Sequence, residues 1–301
     1  MSMKIGFIGL GTMGKHMALN ILKSGNQMIV NDIVEDNFQE FIDKGAETST
    51  NLSEIAKADI IFLSLPNTKI VKEVLLGENG LIKHCREGLI VVDLSTITYK
   101  GTLEIASSFK EKGISFIDAP VSGMEARAID GTLTVMCGGE KDDFKKIKPL
   151  LNYIGKKIIY MGDSGKGQLT KLINQLLYDI NVAALAEILP MAKKLGLDPV
   201  MIGEVVNSGT GRSHASEFFI PRVLKGEFYE AYRLKDAYKD LVSAAAISAD
   251  YCIPLPIFHA ATTTYQMALL KGYGDGDKGS MIRVYEDLLG VKFRENNKKD
   301  F

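Results

Sequence analysis

Lys171, Asn174 and Gln175 stand at i, i+3 and i+4, so in a helix one ammonium and two carboxamides point from a single face. They interrupt an apolar stretch from Leu169 to Leu195. In it Leu169, Leu172, Ile173, Leu176, Leu177 and Ile180 recur at helical spacing, joined by Ala183, Ala184, Leu185, Ile188 and Leu189. Apolar residues on nearly every side predict a buried helix, and Pro190 is expected to kink it or end its regular part. A lysine in such a segment has two readings. Its ammonium reaches solvent along its own methylenes near the helix start, or it acts as a catalytic group beside a substrate. The segment alone leaves both open.

A second constellation opens the chain. Lys4 to Ile8 is a short apolar run, followed by Gly9-Leu10-Gly11-Thr12-Met13-Gly14 and then a helical pattern from His16 that closes on Gly25. G-x-G-x-x-G between a strand and a helix permits a tight turn and lets backbone N–H groups approach a pyrophosphate at the helix N-terminus. A second strand, Met28 to Asn31, ends at Asp32, where an acidic side chain binds the adenosine ribose hydroxyls of a dinucleotide. The competing reading is a purely structural turn with Asp32 as a cap.

The elements that must position these groups alternate through the first half. Helical patterns at Phe38 to Lys44, Leu52 to Lys57, Lys69 to Leu76, Thr102 to Lys112 and Asp142 to Leu151 separate apolar strands. The strands are Asp59 to Leu65, Leu89 to Leu94, Ser115 to Ala119, Leu133 to Cys137 and Lys157 to Met161. Such alternation predicts a mainly parallel sheet covered on both faces, with ligands beyond the C-terminal strand ends. Leu65-Pro66-Asn67, Ser95-Thr96 and Pro120-Val121-Ser122-Gly123 are the loops at those ends. Beyond Gly167 the pattern is helical only, with Asp198-Pro199 as one helix start, a glycine- and aspartate-rich loop at Gly272 to Gly279, and a charged end, Lys292 to Phe301, expected to fray. The expected organisation is an α/β Rossmann-type domain over 1–163, an inter-domain helix over 164–195 and an all-helical domain over 196–301.

A chain of 301 residues suffices for two cores, and 46% hydrophobic with 24% charged residues is ordinary globular composition. A net charge of −1 offers no basic excess for nucleic acid, and no apolar run is expected to be long enough to span a bilayer. Cys85, Cys137 and Cys252 and the four histidines are scattered, which predicts a reducing, cytoplasmic location and no metal site.

On these residues the chain resembles the β-hydroxyacid dehydrogenases, the family of 3-hydroxyisobutyrate dehydrogenase, tartronate semialdehyde reductase and 2-(hydroxymethyl)glutarate dehydrogenase. The resemblance runs from Lys4 to about Phe293. It rests on Phe7 to Gly14, Asp118-Ala119-Pro120-Val121-Ser122-Gly123, Gly131-Thr132-Leu133, Gly165-Lys166-Gly167-Gln168 with Lys171 and Asn174, and Lys239-Asp240-Leu241. It implies Lys171 as the catalytic residue and Ser122-Gly123 as the holder of a substrate carboxylate. Leu65, Pro66, Thr96 and Lys239 would lie along the cofactor with the glycine loop, Asn31 and Asp32. Dimers or tetramers are the family's usual assemblies. Two departures stand out: Asn174-Gln175 where the family has Asn-Asn, and Met124-Glu125-Ala126-Arg127-Ala128 in place of a glycine-rich loop.

The chemistry so implied is reversible hydride transfer between a nicotinamide and a small β-hydroxyacid or semialdehyde acid. Desolvation and a cationic nicotinamide would both ease proton loss from Lys171; Asn174, beside Gln175, would orient it and donate to the substrate oxygen. Asp32 predicts NAD over NADP, which Asn31 leaves tolerated. Arg127 and Arg212 are candidates for reading a second anionic group, as in a dicarboxylic or sulfonated aldehyde acid. Pairing of Arg127 with Glu125 or Asp130 is the alternative. A catalytically silent dinucleotide-binding scaffold is the competing class, and the retained Lys171 argues against it.

Overall fold

The computed structural model describes residues 3–295, and the chain divides into two compact units, Met1–Lys171 and Leu172–Phe301. In the first, β1 (Lys4–Ile8), α1 (Gly14–Leu22), β2 (Gln27–Asn31), α2 (Phe38–Ile42), β3 (Glu47–Ser49) and α3 (Leu52–Ile55) come in turn. Next are β4 (Ile60–Leu63), α4 (Thr68–Leu76), β5 (Ile90–Asp93), α5 (Tyr99–Lys110) and β6 (Ser115–Asp118). The unit's remaining elements before its last helix are β7 (Val121–Ser122), α6 (Met124–Ile129), β8 (Leu133–Gly138), α7 (Lys141–Leu151) and β9 (Gly155–Gly162).

The strands form one sheet in the order β3-β2-β1-β4-β5-β6-β8-β7, with β9 beside β8. Pairings from β3 to β6 are parallel, as is β8 with β9; β8 runs antiparallel to β6 and β7. In the central strands both faces are buried because apolar residues follow one another without polar alternation, as in Ile60–Leu63 and Ile90 to Val92. Ile5, Phe7, Ile60, Phe62, Ile90 and Val92 pack on one side, whereas Ile8, Ile61, Leu63 and Val91 pack on the other. Strand order reverses between β1 and β4, the topological switch point where such sheets bind ligands. Two short pieces carry no sequence signal of their own, β3 and β7. A third, α6, forms from Met124 to Ile129, the run that stands in place of the glycine-rich loop.

The last helix of the first unit continues into the second: α8 spans Lys166–Lys194. After it come α9 (Pro199–Ser208), α10 (His214–Lys225), α11 (Leu234–Asp250), α12 (Pro256–Leu270) and α13 (Ile282–Leu289). Val182, Ala183, Ala186 and Leu189 of α8 share a core with Phe219 and Val223 of α10, Leu234 and Leu241 of α11, and Tyr265 of α12. Asp179 on α8 is buried against Lys278, whose ammonium lies 4.8 Å from the Tyr178 ring centroid. Removing either partner would strand the other charge, at a cost of about 3–5 kcal/mol.

Four expectations are corrected. Pro190 does not end α8, because a proline deletes one amide donor and the following turn closes through Leu195 N–H on Met191 O, 3.0 Å. At 29 residues with a mean hydropathy of 1.3 over its most apolar window, α8 is long and apolar enough to cross a bilayer, contrary to the sequence reading. It is nevertheless a partner in the helical core, with its buried carboxylate paired. Only 28% of that window is buried, so an all-round apolar pattern here leaves one face uncovered in the single chain. The charged end does not fray at its start: Phe293 is fully buried with its N–H on Glu286 Oε1 (2.8 Å), and Arg294 grips both Glu286 oxygens. Residues 296–301 of that run lie outside the described residues.

Candidate active site

The glycine loop joins β1 to α1. Gly9 has φ +91°, and a Cβ on it would strike Ser64 O; one on Gly14 would strike Gly9 O. Both positions therefore require glycine, whereas Gly11 has open space around it, leaving the backbone approachable. No side chain caps the N-terminus of α1, so its amides face outward. Leu10 is buried, Thr12 exposed and Met13 half-buried. Asp32 follows β2 and accepts the Leu10 N–H on Oδ2 (2.6 Å) and the Val34 N–H on Oδ1 (2.9 Å). Asn31 is buried and spends its amide on Ser49 O (2.8 Å). These residues fit a dinucleotide: glycines where side chains would block the turn, free helix-terminal amides for a pyrophosphate, and a carboxylate at the end of β2 for ribose hydroxyls.

The loops at the ends of β4 and β5 are stitched together. Leu65 N–H donates to Ser95 Oγ (2.8 Å), beside exposed Pro66, and Ser95 N–H donates to Asp93 Oδ1 (2.8 Å). Gln168 straddles half-buried Thr96, donating to Ser95 O (2.7 Å) and accepting from Ile97 N–H (3.2 Å). From the end of β6, Asp118 accepts Gly165 N–H on Oδ1 (2.7 Å) and Gln168 N–H on Oδ2 (2.9 Å). Thus the ends of β5 and β6 bond directly to the first turn of α8, and the end of β4 joins them through Ser95. Lys171 follows one turn later and is only 9% exposed, which is incompatible with a side chain merely laid out in solvent.

Asp93 and Asp118 are register partners on adjacent strands and are both fully buried. Burial pushes the Asp93 carboxyl up to about 7, and the neighbouring Asp118 charge adds to it against the bonds from Ser95. Burial likewise raises Asp118 to about 6, opposed by the amides of Gly165, Gln168 and Gly167.

Ser122 and Gly123 are half-buried at the β7 end. Gly123 has φ +149°, and a Cβ there would meet Arg127 Cβ and Cδ at 2.8 Å, so the Arg127 stem lies over it. Arg127 itself is exposed. Glu125 faces His16 at 3.4 Å and Asp130 Oδ1 holds Thr132 N–H at 3.0 Å. In the second unit, Asn174 is exposed and Gln175 half-buried on α8. Lys239 on α11 lies 5.9 Å from the Tyr232 ring centroid, and Arg212 Nε bonds Glu217 at 2.6 Å in an exposed ion pair. Among the described residues no group of three or more His, Cys, Asp or Glu is placed to hold a metal.

Sequence reasoning assigned no role to Asp93, Ser95, Asp118 or Gln168. Their signal was present in form: two apolar strands, Ile90 to Asp93 and Ser115 to Asp118, each close on an aspartate.

Two family profiles match nearly the whole chain. One, described as the NAD binding domain of 6-phosphogluconate dehydrogenase, covers residues 4–162. The other, described as NAD-binding of NADP-dependent 3-hydroxyisobutyrate dehydrogenase, covers residues 165–285. The 2-(hydroxymethyl)glutarate dehydrogenase of Eubacterium barkeri is 40% identical over 96% of this chain and 97% of its own. The 2-hydroxy-3-oxopropionate reductase of Escherichia coli is 35% identical over 96% and 99%. Among solved structures, the 3-hydroxyisobutyrate dehydrogenase of Salmonella typhimurium superposes with a TM-score of 0.84 at 27% identity, covering 94% of this chain and all (100%) of that one. A Rossmann-type sheet with an NAD(P)-binding glycine loop and a long helix leading into a helical region defines a class of nicotinamide-dependent oxidoreductases. The chain belongs to the β-hydroxyacid dehydrogenase family.

Proposed function

We propose that this protein interconverts a small β-hydroxyacid and its aldehyde acid, with Lys171 as general acid/base and NAD as the preferred cofactor. The observation that carries the reading is the burial of Lys171 one turn after a helix start bonded directly to the ends of β5 and β6. The nicotinamide cofactor supplies or accepts the hydride. In oxidation Lys171, neutral, takes the substrate hydroxyl proton; in reduction its ammonium returns that proton to the aldehyde oxygen. Ser122 Oγ–H and Gly123 N–H hold the substrate carboxylate without a charge that would compete with Lys171. Asn174 stands three residues from Lys171 on the same helix face and donates to the reacting oxygen, with Gln175 beside it. Gly9 to Gly14, Asn31, Asp32, Leu65, Pro66 and Thr96 line the cofactor's side. Lys239 is assigned there on the resemblance of Lys239-Asp240-Leu241 alone.

NAD is favoured because a 2′-phosphate would meet the Asp32 carboxylate, with Glu35 and Asp36 close behind and no arginine from Asn31 to Lys44. The Eubacterium barkeri relative is named for a substituted glutarate, a dicarboxylate, which supports a substrate with a second anionic group. Three free cysteines fit a reducing cytoplasm, and we place the protein there as a homodimer or homotetramer.

The test is kinetic. Lys171→Ala should lower kcat by roughly 10²–10⁴-fold while cofactor binding, followed by fluorescence titration, stays near wild type. Retained turnover would remove Lys171 from the chemistry. In the same assays the wild type should show the higher kcat/KM with NAD; a clear NADP preference would refute the Asp32 argument.

A further inference from the structure

We infer that Asp118 is a positioning residue for Lys171: its carboxylate, held at the end of β6, fixes the N-terminus of α8 and thereby the place of the lysine ammonium. The inference rests on the catalytic reading of Lys171. An α-helix begins with amides that have no partner inside it, and a local side chain ordinarily takes one of them. Here the partner comes from 47 and 50 residues away in sequence, and it takes two, Gly165 N–H at 2.7 Å and Gln168 N–H at 2.9 Å. One bond would leave the helix free to swing about it. Two, one to each carboxylate oxygen, fix the direction of the axis as well as its origin. Lys171 lies three residues beyond the second of these amides, so any tilt at the anchor reaches its side chain almost undiminished.

The surroundings are shaped to let the carboxylate in. A Cβ on Gly138 would meet Asp118 Oδ1 at 2.7 Å, and one on Gly167 would meet Oδ2 at 2.8 Å and also strike Met136 O. Glycine at both positions keeps the carboxylate against the helix end. The arrangement is costly, since Asp118 is fully buried and sits beside the equally buried Asp93. A neutral acceptor would cap one amide with less desolvation. Only a carboxylate offers two equivalent acceptors in this fork, and Gln168 extends the clamp to the Ser95–Ile97 loop through its own side chain.

A double-mutant cycle separates positioning from general structural support. Wild type, Asp118→Asn, Lys171→Ala and the double variant are compared for kcat, KM, cofactor Kd and thermal midpoint. Asp118→Asn keeps one acceptor and turns a donor toward the other amide. In the wild-type background it should lower kcat on the order of 10–10²-fold with KM and cofactor Kd changed by about threefold or less. In the Lys171→Ala background the same substitution should change the residual kcat by about twofold or less, because the group it positions is gone. Equal losses in both backgrounds, or no loss in the wild type, would overturn the inference while Lys171 keeps its role. Wild-type turnover in Lys171→Ala would overturn both. Should Asp118→Asn fail to fold, Asp118→Ser, with one acceptor in a smaller volume, carries the same cycle and the same outcomes.

Discussion

Arg127 shows how far a single side chain can be read. In sequence it is an arginine four residues past Gly123, equally suited to a surface ion pair or to a ligand. The structure lays its stem over Gly123, while Glu125 turns to His16 and Asp130 to Thr132. Met124, between them, holds φ +60°, a conformation costing a non-glycine residue about 1 kcal/mol or more. The turn after Ser122-Gly123 is thus kept in a strained shape with the arginine stem against Gly123. Arg212 is engaged by Glu217 in an exposed pair worth about 0–1 kcal/mol, so the argument for a second anionic group rests on Arg127. On the proposed reading, a guanidinium there would pair with a distal carboxylate or sulfonate. Arg127→Ala should raise KM for a dianionic substrate at least tenfold, about 1.4 kcal/mol, and leave a monoanion such as 3-hydroxypropionate unaffected. Equal effects on both substrates would leave the residue a structural role only.

At the scale of elements, what could be read from sequence was what repeats. The continuous apolar runs of β1, β4 and β5 and the glycine turn after β1 were legible, because each is a local pattern with one physical solution. The three-residue β3 and two-residue β7 were not, since their pairing partners, not their own residues, define them. The anchoring of α8 was hidden for the same reason: its cap lies on another strand. The paired carboxylates behind that anchor give the fold a pH signature. Unfolded, both titrate near 4; folded, Asp93 is raised to about 7 and Asp118 to about 6. Between those limits the native state binds more protons, so their contribution is fully present below about pH 4 and is lost as pH rises toward 7. For Asp93 the difference is on the order of 4 kcal/mol. Asp93→Asn removes that titration while keeping an acceptor for Ser95 N–H. The variant's thermal midpoint relative to wild type should therefore climb by several degrees from pH 5 to pH 8. A difference independent of pH would mean that Asp93 does not titrate in this range.

The molecule as a single chain leaves a run of apolar side chains open where α8 gives way to α9. Ile188 and Met191 on the last turns of α8 and Leu195 just past its end are 52%, 47% and 70% exposed, at i, i+3, i+7 spacing. Leu197, then Met201 and Val205 on α9, continue it at 48%, 66% and 64%. Scattered exposed apolar residues are ordinary, but six within 18 residues, on α8, α9 and their connection, are a concentration that water does not favour. A bilayer is a poor match for it, because the opposite face of α8 is built into a protein core with Asp179 paired to Lys278. A second copy of the chain matches it well: a two-fold interface presents the same stripe to itself, so each covered side chain counts twice. With about 1 kcal/mol from each of twelve half-exposed groups, association through this stripe would offset its entropic cost at micromolar concentration. Light scattering behind size exclusion should give a dimer or tetramer for the wild type. Ile188→Glu together with Leu195→Glu should shift it to monomer while circular dichroism keeps the helical signal. A wild type that runs as a monomer at tens of micromolar, or a double variant with unchanged mass, would place the interface elsewhere or remove it.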